Sequence, residues 1–287
     1  MARYQVFPNA DARKVLQNVD RLRCHHDHLK TLDNCYAFMR QKETYDRMRD
    51  PEFRCDDPDK MNELDRAHFT SLIVKLSPEQ GEKFFLRIRQ AYEQIGALLR
   101  RFDDRATVEI YFDSAHITIK SLQDGLKQDA DALGRYFPVI LPIVRKWIDR
   151  FGTDTSLYAV GLFTNLSKEK GLSIGVRFYP SLPLVQIIRG EVGAALYAHG
   201  SGLALRVEGS FHTMLTHSTG FRARNLSLPM STGFIKEFQT IVESYDATVF
   251  GAIQNIQVAD VYVRNGRSDK LVTVAEVSCA DENWPVP

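Results

Sequence analysis

The spacing of apolar positions changes several times along this chain, and each change marks a predicted element. From Asp11 to about Met48 apolar residues recur at helical intervals (Val15, Val19, Leu22, Leu29, Leu32, Tyr36, Met39) among charges of both signs. Pro51, Pro58 and the acidic Asp56-Asp57 end that pattern. Strand and helix patterns then take turns. A strand is expected over 68–76. Ser77 as N-cap and Pro78 as first helical residue should open a helix running to about Arg101, with Phe84, Phe85, Ile88, Tyr92, Ile95, Leu98 and Leu99 as its buried stripe. Strands follow at 106–112 and 115–120, then a helical region over 124–151 interrupted by Pro138 and Pro142. Strands at 156–164 and 172–179 share a turn at 167–171, and a helix runs from Ser181 to Gly200. Strands at 203–209 and 211–219, a helix near 232–245, and strands at 249–263 and 270–278 joined by Asn265-Gly266 complete the pattern.

Strand-helix-strand-strand thus occurs twice. That repetition predicts an α+β fold of two pseudo-symmetric lobes whose antiparallel sheets surround a central cleft. Residues 66–287 would form this bilobal domain, and residues 1–65 a helical N-terminal extension packed on the core or on a partner.

Composition narrows the classes. A chain of 287 residues with 44% hydrophobic and 25% charged residues is that of an ordinary globular protein. The net charge of +1 gives no global attraction for nucleic acid, so any binding of phosphate has to be local. No apolar run is long enough to span a membrane, and the first residues lack the apolar core of a secretory signal. The four cysteines (Cys24, Cys35, Cys55, Cys279) show no paired spacing, so a reducing, cytoplasmic setting is the expectation. Cys24-His25-His26-Asp27-His28 puts two candidate metal ligands on one helical turn, but no second pair completes a site. A solvated helical patch is the better reading, and no metal or other cofactor is expected.

The chemistry is concentrated in two short segments, Ser114-Ala115-His116-Ile117-Thr118-Ile119 and Leu215-Thr216-His217-Ser218-Thr219-Gly220. On a strand, residues two apart project from the same face. His116 with Thr118, and His217 with Thr219, therefore each present an imidazole beside a hydroxyl. An imidazole moves protons and a hydroxyl binds a phosphate oxygen, so two such pairs supply a base, an acid and two phosphate contacts. Lys120 shares the parity of His116 and would add positive charge. Arg222 has the wrong parity on a regular strand and reaches the same space only if Gly220 forms a bulge. Tyr111, Phe163, Phe178 and Tyr179 are candidates for stacking on a base, with core packing the commoner use. A third triplet, His68-Phe69-Thr70, stands at the head of the first strand and reads as structural. His199 ends a helix, where the dipole explains it.

The two motifs make the chain resemble the two-histidine (2H) phosphoesterases, which include RNA cyclic phosphodiesterases and 2′-5′ RNA ligase-like proteins. The resemblance covers roughly residues 66–279. It takes in the opening strand from His68, His116-Ile117-Thr118-Ile119, the helix Leu184–Arg189, and His217-Ser218-Thr219-Gly220-Phe221-Arg222, which fits the family's His-x-Thr-x-x-Arg pattern. It implies His116 and His217 as catalytic residues, with Thr118, Thr219, Lys120 and Arg222 binding substrate. A second register is open: Phe211-His212-Thr213-Met214-Leu215-Thr216 can be laid on the family's Phe-His-Pro-His-x-Thr run, with His212 and Thr216 near the phosphate and Met214 in place of the second histidine.

The activity implied is metal-independent hydrolysis of a 2′,3′-cyclic phosphate, a 2′-5′ linkage or a cyclic nucleotide, with an RNA end or nucleotide as substrate. Two readings of other classes stand beside it: a phosphate- or nucleotide-binding protein without turnover, and an interaction protein acting through its helical extension. The sequence leaves the exact substrate and oligomeric state open.

Overall fold

The computed structural model describes residues 3–5, 39–55, 68–76, 81–112, 115–123, 130–152, 154–168, 170–182, 184–199, 216–246, 248–254, 258–265 and 272–278. It is an α+β fold of two antiparallel sheets with helices packed on them. The six-stranded sheet has the order β1 (Arg3–Gln5), β8 (Val249–Gln254), β5 (Ser156–Ser167), β6 (Gly171–Pro180), β7 (Thr216–Arg224), β3 (Thr107–Ile110). The four-stranded sheet runs β10 (Val272–Ser278), β9 (Val258–Asn265), β2 (His68–Lys75), β4 (His116–Gln123). Each sheet draws strands from both halves of the chain. Strand β4 is the edge of its sheet and lies against β7, so the two motif-bearing strands meet where the sheets come together.

The helices are α1 (residues 39–49), α2 (Glu82–Phe102), α3 (Ala130–Phe151), α4 (Leu184–Ala198) and α5 (Thr232–Ser244). The apolar stripe expected on α2 is buried as a set: Phe84, Phe85, Ile88, Tyr92, Ile95, Leu98 and Leu99 all lie in the core. Each such side chain contributes roughly 1.5–3 kcal/mol by leaving water. Helix α1 joins the same core through Tyr45 and Met48, and the Met48 carbonyl accepts the Met230 N–H at 2.8 Å.

Several elements differ from their sequence-based outline. Helix α2 opens at Glu82 after Gly81, which offers no side-chain cap, while Ser77-Pro78 lies outside the described residues. Pro138 and Pro142 do not interrupt α3. Both are exposed, four residues apart on the solvent side, where water can satisfy the carbonyls that lose an N–H partner. The segment expected as one strand over 249–263 is two, β8 and β9, which belong to different sheets. Strand β7 runs on to Arg224 rather than ending at 219. Residues 3–5, expected within a helical extension, pair with β8 at the sheet edge. The Cys24–His28 cluster, Cys279, Gly200, the expected strand at 203–209, and His212 with Met214 fall outside the described residues, as does the Asn265-Gly266 turn beyond Asn265.

Candidate active site

The two motifs enter one space from two sheets. A pocket of about 240 Å³ is lined by Tyr111, His116, Thr118, Phe163, Asn165, Lys170, Ser173, His217, Thr219 and Arg222. Both His-x-Thr pairs expected from the sequence are in that lining, with Arg222, Tyr111 and Phe163. Phe178 and Tyr179 are buried in β6 and do not line the pocket. The side chains of His68 and Thr216 lie outside the described residues, as does His212 altogether.

Two strand irregularities decide which neighbours reach the pocket. In the β6–β7 pairing Thr219 faces Gly175 and Phe221 faces Ile174, which leaves Gly220 as an extra residue. A bulge of this kind reverses side-chain parity beyond it. Thr219 and Arg222 therefore share the pocket face, and Phe221 turns into the core. Glycine is required at this point: a Cβ on residue 220 would stand 2.9 Å from a ring carbon of Tyr92 and 3.0 Å from the Tyr111 carbonyl oxygen. The bulge is tied down by its own hydrogen bonds. The Gly220 carbonyl accepts the Tyr111 N–H at 2.9 Å, and the buried Tyr92 hydroxyl hydrogen-bonds the Gly220 backbone.

The second irregularity works the other way. In the β2–β4 pairing Lys120 faces Leu72 and Thr118 faces Ile73, leaving Ile119 as the extra residue. Lys120 is thereby turned away from His116 and Thr118. It is 0% exposed and absent from the pocket lining, a correction to the parity expectation. Nothing in the local sequence marks Ile119 as a bulge. What holds it is Arg189 of α4, 1% exposed, whose guanidinium donates to the Ile119 carbonyl at 2.5 Å and the Thr118 carbonyl at 3.0 Å. An edge strand has outward backbone groups to satisfy, and this buried arginine satisfies two of them.

Across the six-stranded sheet, Phe163 lies over His217 with ring centroids 4.2 Å apart and planes 19° apart. Strands β5 and β7 are separated by β6, roughly 9.5 Å apart at the usual strand spacing. Between them, the β6 residue in register with Phe163 is Gly175, where a Cβ would stand 2.5 Å from the Ser218 carbonyl oxygen of β7. Burial holds the His217 imidazole down from 6.5 to about 4, reinforced by the charges of His116, Arg189, Lys170 and Arg40. Arg40 belongs to α1, so the amino-terminal segment contributes to the electrostatics of the pocket. Sequence reasoning missed this contribution, together with Asn165, Lys170, Ser173 and Arg189, since none carries a motif.

The shift of His217 has a measurable consequence. Phe163→Ala removes the ring covering the imidazole, so the His217 titration followed by NMR should move up from about 4 toward 6.5. Stability follows the same group. Between about 6.5 and about 4 the unfolded chain binds a proton that the folded chain does not. Stability is therefore greatest above that window and falls as pH drops through it, and Phe163→Ala should flatten the slope. A titration midpoint unchanged by Phe163→Ala would show that the stack does not set it.

Among the described residues no group of three or more His, Cys, Asp or Glu gathers as a metal-ligand set, and no helix is long and apolar enough to cross a membrane. No protein-family model matches the chain, and no curated protein is similar to it in sequence. Solved structures similar to it include TT0787 of Thermus thermophilus, at a TM-score of 0.40 and 12% identity, covering 75% of this chain and 100% of that one. Kluyveromyces marxianus Usb1 with uridine monophosphate is similar at a TM-score of 0.40 and 9% identity, covering 74% of this chain and 98% of that one. A second structure of Kluyveromyces marxianus Usb1 gives a TM-score of 0.37 and 9% identity over the same shares.

Proposed function

We propose that this chain is a metal-independent phosphoesterase of the two-histidine type, hydrolysing a 2′,3′-cyclic phosphate, a 2′-5′ linkage or a cyclic nucleotide. The observation that carries the reading is the shared lining: His116, Thr118, His217 and Thr219 border one pocket with Lys170 and Arg222, and among the described residues no carboxylate lines it. Such a surface attracts an oxyanion and offers proton carriers beside it.

The depressed basicity of His217 supports a division of roles. Held neutral at physiological pH, it accepts a proton from the attacking water as the water oxygen bonds to phosphorus. The bond from phosphorus to the ribose oxygen breaks, and that oxygen takes a proton from His116. The product is a phosphomonoester. The two rings have exchanged protonation states, which solvent resets. Thr118 and Thr219 hydroxyls hydrogen-bond the non-bridging oxygens, and the cations at positions 170 and 222 favour the charge that develops there.

The test is turnover of a panel of 2′,3′-cyclic nucleotides, 2′-5′ dinucleotides and 3′,5′-cyclic nucleotides by the purified chain in EDTA. Hydrolysis of at least one, undiminished by the chelator, is the expected result. Tight binding of all three without product would instead favour a nucleotide-binding protein, and metal-dependent turnover would overturn the mechanism. With His217 as base, kcat/KM should keep its value on the acidic side until about pH 4.

A further inference from the structure

The proposed chemistry gives no part to Ser173, although it lines the pocket. It is 8% exposed and its Oγ has no hydrogen-bond partner among the described residues. Arg222, 6% exposed, leaves its Nε unpartnered in the same way, while its Nη2 donates to the Tyr111 hydroxyl at 3.4 Å and its guanidinium lies over that ring. The two residues are directly opposite one another in the β6–β7 register. Buried polar atoms are nearly always hydrogen-bonded, so two such donors side by side point to a ligand that completes them.

The phosphate between the two histidines suffices as that ligand. Ser173 stands two residues along β6 from Gly175, the partner of Thr219, which is roughly 6.6 Å at the usual rise per residue. Two hydrogen bonds of about 2.5–3.2 Å laid end to end cover most of that span, before the width of a phosphate is counted. One phosphate is therefore within reach of the Thr219 and Ser173 hydroxyls and the Arg222 Nε together. The four-stranded sheet offers much less. Among the described residues it lines the pocket with His116 and Thr118 alone, and every other lining residue belongs to the six-stranded sheet, its β5–β6 turn or the position after β3. The two bulges create this inequality, since the one at Gly220 brings Arg222 in and the one at Ile119 turns Lys120 out. The two non-bridging oxygens of a phosphodiester thus meet different surroundings, one with two hydroxyls and a guanidinium, the other with the hydroxyl of Thr118.

We infer that Ser173 is a third hydroxyl ligand of the reacting phosphate and that, with Arg222, it makes the site discriminate between the two non-bridging oxygens. The inference rests on the phosphoesterase reading for which phosphate is held, and its test is chosen to separate the two. Sulfur is larger than oxygen and a poorer hydrogen-bond acceptor. Placed at the first oxygen, it forfeits the guanidinium bond and the Ser173 bond together. Placed at the second, it forfeits the Thr118 bond alone. Hydrogen bonds between ionised partners are roughly twice as strong as neutral ones, so the first exchange is the more costly.

The probes are the Rp and Sp diastereomers of adenosine and uridine 2′,3′-cyclic phosphorothioate. Their binding to the full chain is measured by calorimetry in the His116→Ala form, so that neither is consumed. One diastereomer should bind at least about tenfold more tightly than the other, the usual worth of a hydrogen bond to a charged group. Adding Ser173→Ala should cut that ratio to about threefold or less by weakening the preferred diastereomer. Adding Thr118→Ala should widen it, because the disfavoured diastereomer depends on that hydroxyl for its remaining oxygen. A merely structural loss would weaken both and leave the ratio alone. Equal affinity for the two diastereomers, a ratio that Ser173→Ala does not alter, a ratio that both variants move the same way, or binding of neither diastereomer would overturn the inference. Absence of hydrolysis of every cyclic phosphate by the unaltered chain, with the ratio intact, would sink the phosphoesterase reading and leave the unequal phosphate site standing.

Discussion

His116→Ala and His217→Ala are each expected to lower kcat on the best cyclic substrate by roughly 10²–10⁴, the usual contribution of a positioned acid or base. The double variant should lose little more than the worse single one. Proton removal from water and proton delivery to the leaving oxygen belong to one displacement, so losing either leaves the other unable to act alone, and effects of residues that act as a unit do not add. Stability should barely change in His116→Ala. In His217→Ala the stack under Phe163 is lost, so a modest fall in stability is expected alongside the loss of rate. Single-turnover kinetics with circular dichroism on all three variants provides the check. Full activity in His217→Ala, with folding intact, would move the second half-site to the other register, in which His212 takes the role. Strictly additive losses would mean that the two rings serve different steps.

Arg189→Met carries the second large effect. Methionine comes near the side-chain volume but donates nothing, so the Thr118 and Ile119 carbonyls lose their guanidinium partner. Unsatisfied buried acceptors cost about 1–3 kcal/mol each, which places the expected destabilisation at about 2–6 kcal/mol for the two. Urea unfolding should show a lower midpoint with an unchanged slope. A purely structural arginine would do no more than this. Arg189 also holds up the bulge that aims His116 and Thr118, and its charge helps to depress His217. In the fraction that remains folded, kcat should therefore fall and the acidic limb should rise above about pH 4. Arg189→Lys keeps the charge and one donor, so it should recover the pH profile and only part of the rate. A destabilised Arg189→Met protein with normal kcat per folded molecule would show that the clamp matters only for folding.

The candidate site was legible in part because its residues obey strand parity. His116 with Thr118 and His217 with Thr219 sit two apart in segments whose alternation already marks them as strands, and in both cases the structure places the pair along one pocket. Arg222 was legible only conditionally, through the glycine two positions before it. Lys120 was misplaced by the same rule, because the bulge at Ile119 is maintained by an arginine far along the chain rather than by a residue in the strand. Asn165, Lys170 and Ser173 have no local pattern at all. They reach the pocket because β5 and β6 lie beside β7, which is a matter of sheet order.

Alternation and helical spacing therefore determined, from the residues alone, the kind and rough extent of most described elements and the facing of each His-x-Thr pair, since both follow from backbone geometry over a few residues. Only the tertiary structure decided that two sheets share strands from both halves of the chain and set β4 against β7. It also decided that two bulges bring Arg222 in and turn Lys120 out, and that a ring from β5 covers His217. Those outcomes depend on contacts between segments distant in sequence, which no local period records.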